Sequence, residues 1–279
     1  MSHDNEEFRF VSLLALELEN NDIDLPSLPD VVLKIRKMLE DENADFERLS
    51  SAISMDPVLV SKLFVYANSA FYNRANIKID TLEGAIGRLG IEVVRNTAMS
   101  LAMKQLYTSE KHSHAAKFLR AVWARGMKLS CMAFALAKGK PGLNRETAFL
   151  CGLLNEVGKL YVITKAEEFP SLLGNKESFD MVLEKWNSQI SKSIIEAWGF
   201  PEEIAQSADP RAYLDQDPTT APAYFDVVAV AKWLVDQGEA GSLDLEDASC
   251  VKLGVDKNTL PDVMAAYRDK LKTMQQSLT

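Results

Sequence analysis

The chain has 279 residues, of which 47% are hydrophobic and 25% charged, a balance typical of a soluble globular protein with one large domain or two smaller ones. Its net charge of −9 argues against a nucleic-acid-binding protein, because that class needs a positive surface to neutralise phosphates. The sequence has no long uncharged apolar run and no signal peptide at its acidic N-terminus. We therefore expect a cytoplasmic protein without membrane association, whose three cysteines are buried thiols.

Helix signals run from about residue 27 to Leu106, whereas strand signals are scarce. A capping box at residues 27–30 and Asp45 each predict the start of a helix. Asp56 and Pro57 predict another start, because Asp accepts hydrogen bonds from free first-turn amides and Pro has no amide hydrogen to satisfy. Either Asp80 or Thr81 should begin the next helix. The predicted inward-facing residues of these helices are Phe46, Leu49, Ala52, Ile53, Leu59, Leu63, Tyr66, Ala67, Leu82, Ala85, Ile86 and Leu89.

The rest of the chain also reads as helical. A long apolar segment from about Ala115 to Lys138 predicts a central core helix, and the Gly- and Pro-containing segment after it, up to Asn144, predicts a loop. The stretch GLLNEVGKL lies in a single predicted helix from Thr147 to Thr164. Further predicted elements are the helix Phe179–Trp198, a proline-rich linker at 209–222, and the helices Tyr224–Gln237 and Leu260–Met274. More than ten helices and no strands predict an all-α protein.

Residues that support catalysis are sparse. The chain has only three histidines, His3, His112 and His114, and the last two form a two-residue motif that is more typical of a polar surface than of a metal site. No Cys-x-x-Cys pair, phosphate-binding glycine loop or Gly-x-Ser-x-Gly elbow is present. A serine or cysteine nucleophile needs a nearby base, which is usually histidine. The composition therefore disfavours the common hydrolytic mechanisms.

Two stretches together resemble the HDOD family, a bacterial domain related to HD-superfamily metal-dependent phosphohydrolases. The first, LPSLPDVVLKIRKMLEDENADFERLSSAISMDPVLVSKLFVYANSAFY, contains Asp-Pro and Asn-Ser-Ala segments, and TLEGAIGRLGIEVVRN continues it. Trp123, AFLCGLLNEVGKLYV and IIEAWGFP then follow in the family's order. The resemblance covers roughly residues 20–213. It implies an HD-domain-like multi-helix bundle with two packed helical halves.

The resemblance also implies where metal ligands would lie. Catalytic relatives bind metal through histidines and a His-Asp pair, but here the corresponding positions hold Arg125, Asn155, Glu156 and Asn187. We call these four residues the relict HD site. A hydrolytic metal needs about three protein ligands and an open position for water, which this set does not supply. We therefore expect no metal, no cofactor and no catalytic residues.

The sequence predicts other roles for the conspicuous polar residues. Arg125 lies in an apolar helix and needs a partner, for which Glu156 is the plausible candidate. Asn155 and Glu156 should bond neighbouring helices. Asp56 should cap its helix, while Asn68 and Ser69 should end theirs and bond the turn that follows. The resemblance alone also suggests a binding role for the signature positions Asp56, Pro57, Asn68, Ser69, Ala70 and Tyr72.

The predicted organisation is an N-terminal segment at 1–19 and an HDOD domain at 20–213, whose N-terminal half ends near 110 and whose HD-like half follows. Residues 214–279 should form a helical extension packed on the HD-like half. The predicted function is non-catalytic signal transduction through contacts with protein partners of a bacterial pathway, without nucleic acid or membrane and with a homo-oligomer left open. The alternatives are a metal-dependent phosphohydrolase acting on a nucleotide or cyclic dinucleotide, and a small-ligand sensor that uses the relict cavity.

Overall fold

The structure is a computed structural model that describes residues 3–20, 28, 33, 46–108, 115–209, 217–237 and 247–278. Within these residues every regular element is a helix, which confirms the predicted all-α fold. The capping box at 27–30, Asp45, His112 and His114 are outside the described residues, apart from Leu28. The fourteen described helices are α1 His3–Glu19, α2 Phe46–Ser54, α3 Pro57–Ala67, α4 Leu82–Leu89, α5 Ile91–Tyr107, α6 Ala116–Leu136, α7 Arg145–Leu154, α8 Val157–Ala166, α9 Pro170–Gly174, α10 Lys176–Ala197, α11 Glu202–Gln206, α12 Tyr224–Gln237, α13 Ala248–Lys252 and α14 Leu260–Leu278.

Polar side chains cap several helices where the sequence predicts a start. Asp56 Oδ1 accepts hydrogen bonds from the amides of Val58 and Leu59, both at 3.0 Å, and Pro57 is the first residue of α3. The choice between Asp80 and Thr81 falls on Thr81, whose hydroxyl accepts from the Gly84 amide at 3.1 Å at the start of α4. These side chains satisfy amide groups that have no acceptor within their own helix.

Contacts within the chain divide it into two compact units. The first unit consists of the described parts of Met1–Pro26 and Tyr107–Pro261. In it, α6 packs against α7 and α12, and α8 packs against α10. Gly152 permits the contact of α7 with α6, because a Cβ atom there would lie 2.7 Å from the Ser130 Cα. The helices that carry or flank the relict HD site therefore form the core of this unit.

The second unit consists of the described parts of Ser27–Leu106 and Asp262–Thr279. In it, α2, α3 and α4 pack on one another, with a buried stripe on α3 at the predicted positions Leu59, Leu63, Tyr66 and Ala67. Its boundary at Leu106 lies close to the predicted division near 110. The C-terminal residues are shared between the units: α12 and α13 belong to the first, and α14 from Asp262 onward belongs to the second. The prediction that all of 214–279 packs on the HD-like half differs from this division at α14.

None of the helices described is both long enough and apolar enough to cross a bilayer. The three cysteines, Cys131, Cys151 and Cys250, are buried and are not joined in disulfides, as the sequence predicts.

Candidate functional site

The predicted helix from Thr147 to Thr164 is interrupted, and the interruption falls at Asn155 and Glu156. Helix α7 ends at Leu154 and α8 begins at Val157, with Glu156 at φ −107° and ψ 13°. The single-helix prediction was therefore wrong at this point. The break turns the Asn155 carbonyl toward α10, where it accepts hydrogen bonds from Asn187 Nδ2 at 3.0 Å and Ser191 Oγ at 2.9 Å.

Helix α10 supplies the acceptors for the first turn of α8 as well. The Gly158 amide donates to Ser191 Oγ at 2.8 Å, and the Lys159 amide donates to Asn187 Oδ1 at 3.1 Å. Gly158 makes this approach feasible, since a Cβ atom at that position would lie 2.3 Å from the Asn187 carbonyl oxygen. Asn187 and Ser191 thus replace the hydrogen bonds that an uninterrupted helix would make internally.

Arg125 on α6 contacts Glu156 directly. Arg125 Nη1 donates to Glu156 Oε1, which confirms the predicted pairing of these two side chains. The Glu156 side chain is 1% exposed and that of Arg125 is 23% exposed, so Glu156 is buried while Arg125 is partly accessible to solvent. The Tyr107 hydroxyl donates to the Glu156 carbonyl at 3.1 Å and helps to fix the break.

Three more charged residues extend the pair into a network. Arg125 makes a two-pronged contact with Asp236 on α12, with Nε–Oδ1 at 3.0 Å and Nη2–Oδ2 at 2.8 Å. Lys159 Nζ lies 3.1 Å from Glu156 Oε1 and also donates to Glu184 on α10. The buried Glu156 is therefore contacted by two cations, while the carboxylates of Asp236 and Glu184 lie nearer the surface.

Burial changes the protonation behaviour of this network. It lowers the pKa of Lys159, and contact with Glu184 opposes that shift only in part. Burial also lowers the pKa of Lys232 on α12, and the nearby positive charge of Arg125 adds to the effect. No hydrogen bond or ion pair of Lys232 is found with any residue that the structure describes. Arg125 and Lys159 thus contact the buried carboxylate of Glu156, and Lys232 lies within electrostatic range of both cations.

The donor set at these positions does not fit a hydrolytic divalent metal. Glu156 is the one carboxylate among the four relict residues, and the guanidinium and ammonium groups of Arg125 and Lys159 already contact it. Asn155 and Asn187 offer amide oxygens, which are weak ligands for transition metals. Within the described ranges, no group of three or more His, Cys, Asp or Glu side chains could hold a metal ion. The positive charge at this site comes from the protein itself.

Part of this site is predictable from sequence. The resemblance predicts Arg125, Asn155, Glu156 and Asn187, and the structure brings these four together around the break. Asn155 bonds the neighbouring helix α10, as predicted, through its carbonyl, while its Oδ1 is buried without a partner among the described residues. Lys159 could have been found, because it follows Glu156 at the i+3 spacing of helical ion pairs. Asp236, Glu184, Ser191 and Lys232 lie far away along the chain, and no local signal points to them.

The signature positions lie between Asp56 and Tyr72 in the second unit, and we call this stretch the signature segment. Most of its polar side chains form hydrogen bonds within the chain. Asn68 ends α3 as predicted: its Nδ2 donates to the Phe64 and Ile79 carbonyls, and its Oδ1 accepts from the Ile79 amide at 2.8 Å. Ser69 Oγ donates to the Tyr66 carbonyl at 2.7 Å. The Tyr72 hydroxyl accepts from Lys270 Nζ, and Ala70 is exposed. The binding role that the resemblance suggests for these positions remains a prediction.

The chain is similar to several known proteins. A curated relative, an uncharacterized protein of Treponema pallidum (strain Nichols), is 23% identical over 205 residues, which cover 68% of this chain but 38% of the relative. The solved structure called "Putative metal-dependent phosphohydrolase" from Shewanella amazonensis SB2B has a TM-score of 0.80 at 23% identity, covering 97% of this chain and 99% of that one. An HDOD domain protein with unknown function from Geobacter sulfurreducens has a TM-score of 0.62 at 18% identity, covering 92% and 97%.

At these identities the structural similarities show a shared fold. The HDOD domain family itself matches residues 25–210, about two thirds of the chain and the same region as the motifs singled out above. The match includes the signature segment in the second unit and all four relict positions in the first. This chain belongs to the HDOD family.

Proposed function

We propose that this chain is a non-catalytic HDOD module of a bacterial, cytoplasmic signalling pathway and that it acts through contacts with protein partners. The observation that carries the proposal is that two cationic side chains already contact the carboxylate of Glu156. Its buried carboxylate is contacted by Arg125 and Lys159 at the place where the catalytic relatives implied by the resemblance would hold a metal. A scaffold that keeps its fold without a reactive group offers shaped surface for recognition.

The chemistry of hydrolysis explains why this observation matters. A catalytic metal lowers the pKa of bound water and stabilises charge that develops in the transition state. Such a metal needs several anionic or neutral ligands around an open position. Arg125, Lys159 and Lys232 instead place like charge near the position that a divalent cation would need, which makes binding of the cation unfavourable.

An assay for phosphoester hydrolysis tests this proposal against the alternative, a metal-dependent phosphohydrolase. The purified full chain is incubated with Mn²⁺, Fe²⁺, Ni²⁺ or Zn²⁺ and with a generic phosphodiester, nucleotides or cyclic dinucleotides. We expect no turnover above that of the matched variant Glu156→Gln. Turnover that requires added metal and is lost in Glu156→Gln would establish the enzyme instead.

The partner hypothesis needs its own experiment. Proteins captured from the source organism on the tagged full chain are identified, purified and tested for direct binding in solution. We expect a saturable complex with at least one of them, unchanged by chelators. Absence of any direct complex among the captured proteins would remove the support for action through protein contacts.

A small-ligand sensor is a second candidate, favoured by two buried acceptors at the relict HD site. Asn155 Oδ1 and Glu156 Oε2 have no hydrogen-bond partner among the described residues. A ligand that binds the native state must raise its stability, so a thermal-shift screen of nucleotides and small amines tests this candidate. A shift that disappears in Glu156→Gln would place the ligand at this site, and a screen without shifts would remove the candidate.

A further inference from the structure

Helix α14 places a lysine inside an aromatic cluster of the second unit. Lys270 is 1% exposed, although it lies on the face of α14 that also buries the apolar residues Met264, Met274 and Leu278. A lysine in such a row departs from the apolar pattern of a buried helix face. Because an ammonium group loses its hydration on burial, the surrounding side chains must compensate for the loss.

Three aromatic rings surround the ammonium group. Lys270 Nζ lies 5.4 Å from the ring centroid of Tyr66, 5.7 Å from that of Phe71 and 5.5 Å from that of Tyr72. The Tyr72 hydroxyl also accepts a hydrogen bond from Nζ at 3.1 Å. The faces of aromatic rings carry negative charge density and attract cations at the distances found for Tyr66 and Phe71, whereas the ammonium group contacts Tyr72 through its hydroxyl. We call these three residues the Lys270 cage.

The cage is held in shape by contacts of its own. The Tyr66 and Tyr72 ring centroids are 5.0 Å apart, and those of Phe71 and Tyr72 are 4.9 Å apart. The Tyr72 amide donates to the Ser69 carbonyl at 3.1 Å, which closes the turn after α3. The rings are therefore positioned by the signature segment itself and not by the lysine alone.

Two more contacts fasten α14 in the same unit. Met274 Sδ accepts a hydrogen bond from the Tyr66 hydroxyl, and Lys104 Nζ donates to the Leu278 carbonyl. Helix α14 lies beyond residues 25–210, the part of the chain that the HDOD family matches. A helix outside the matched region thus fills a cage that lies within it.

We propose that the Lys270 cage is a binding site for the primary ammonium group of a lysine side chain, and that α14 is its built-in occupant. The combination of two rings, Tyr66 and Phe71, with the hydroxyl acceptor of Tyr72 suits an alkylammonium better than an apolar side chain, which would gain nothing from the hydroxyl. A partner lysine can enter the cage only after α14 has been displaced.

Chemical rescue in the full chain tests the proposal. The variant Lys270→Ala removes three methylene groups and the ammonium, which together correspond to n-propylammonium. We expect n-propylammonium chloride at about ten times its dissociation constant to raise the melting temperature of this variant by about 3 °C over equal sodium chloride. The neutral analogue 1-propanol should give a much smaller rise. The control Lys272→Ala removes an exposed lysine of the same helix and should show no rescue.

A second pair of variants covers the case in which Lys270→Ala does not fold. Lys270→Arg keeps a cation in the cage, whereas Lys270→Met keeps an unbranched side chain of similar length without charge. The arginine variant should retain a higher melting temperature than the methionine variant. Equal rescue by 1-propanol, or a methionine variant at least as stable as the arginine variant, would show that the cage recognises apolar bulk and would overturn the proposal.

Discussion

At the scale of single residues, the buried carboxylate of Glu156 determines which charged side chains the relict HD site contains. A carboxylate that is 1% exposed loses most of its hydration, and the contacts with Arg125 and Lys159 compensate for that loss. Arg125 also reaches the more exposed Asp236, so it links the buried carboxylate to the surface. The pairing of Arg125 with Glu156 could be predicted from sequence, because a charge within an apolar helix demands a partner.

Removing Arg125 should destabilise the fold strongly. The variant Arg125→Met leaves Glu156 buried with Lys159 as its remaining ion-pair partner in the described structure, and we expect a loss of about 3 kcal/mol in the free energy of unfolding. The double variant Arg125→Met/Glu156→Gln should recover part of that loss, since it buries no unpaired charge. Urea unfolding monitored by circular dichroism measures all three proteins.

A matched control separates the buried contact from the exposed one. Asp236→Asn breaks the contact of Arg125 with a carboxylate that is 46% exposed, and it should cost less than about 1 kcal/mol. A cost for Arg125→Met no larger than that for Asp236→Asn would contradict the role assigned to Glu156.

The lowered pKa of Lys159 predicts how stability depends on pH. The unfolded chain keeps this proton up to about pH 10.5, the ordinary pKa of lysine, whereas the native state releases it earlier. Between the two pKa values the unfolded state binds more protons, so stability rises with pH, by at most about 1.4 kcal/mol per pH unit for one lysine. Below the native pKa the penalty for burying the charged group is fully present.

As the pH increases, the free energy of unfolding of the variant Lys159→Met should therefore rise less than that of the wild type. Lys232 has the same direction of shift and remains in the variant, so the rise should shrink and not vanish. Burial raises the pKa of Tyr107, which lowers stability above about pH 10, so urea unfolding is best measured from pH 8 to 10. Equal slopes in wild type and variant would contradict the assignment.

At the scale of helices, the break between α7 and α8 is the feature that local sequence could not reveal. Residues 147–164 are mostly apolar and contain no proline, so helical periodicity predicts one element. The break depends on Asn187 and Ser191, which lie more than 25 residues further along the chain and capture the Asn155 carbonyl. Helix starts at which a nearby side chain caps the first turn, as at Asp56 and Thr81, were predictable because a cap depends on neighbouring residues.

The close packing of α8 on α10 can be tested at Gly158. In Gly158→Ala the new methyl group would lie 2.3 Å from the Asn187 carbonyl oxygen and 2.8 Å from the Ser191 amide nitrogen, so the helices must separate. We expect a loss of about 2 kcal/mol or more in the free energy of unfolding, measured with urea. Gly87→Ala on α4 is the control: nothing lies within 4 Å, and replacing a helical glycine should gain about 0.5–1 kcal/mol. Equal stability of Gly158→Ala and wild type would argue against this packing.

At the scale of the whole molecule, the fold was more accessible from sequence than the site. Helical periodicity and the motifs in residues 25–210 were enough for the all-α HDOD assignment. The charges that complete the site were not accessible, because Asp236 reaches Arg125 across 111 positions of sequence. The division of the C-terminal extension could not be predicted either, because no local sequence signal indicates that α14 belongs to a different unit from α12.

The most direct measurement of the central claim is the metal content of the purified full chain. The protein is exposed to Mn²⁺, Fe²⁺, Ni²⁺ and Zn²⁺, freed of unbound ions by gel filtration, and measured by inductively coupled plasma mass spectrometry beside Glu156→Gln. Because Arg125 and Lys159 supply the positive charge beside Glu156, we predict well below one metal ion per chain and the same value for the variant. One ion per chain in the wild type that is lost in Glu156→Gln would contradict the account.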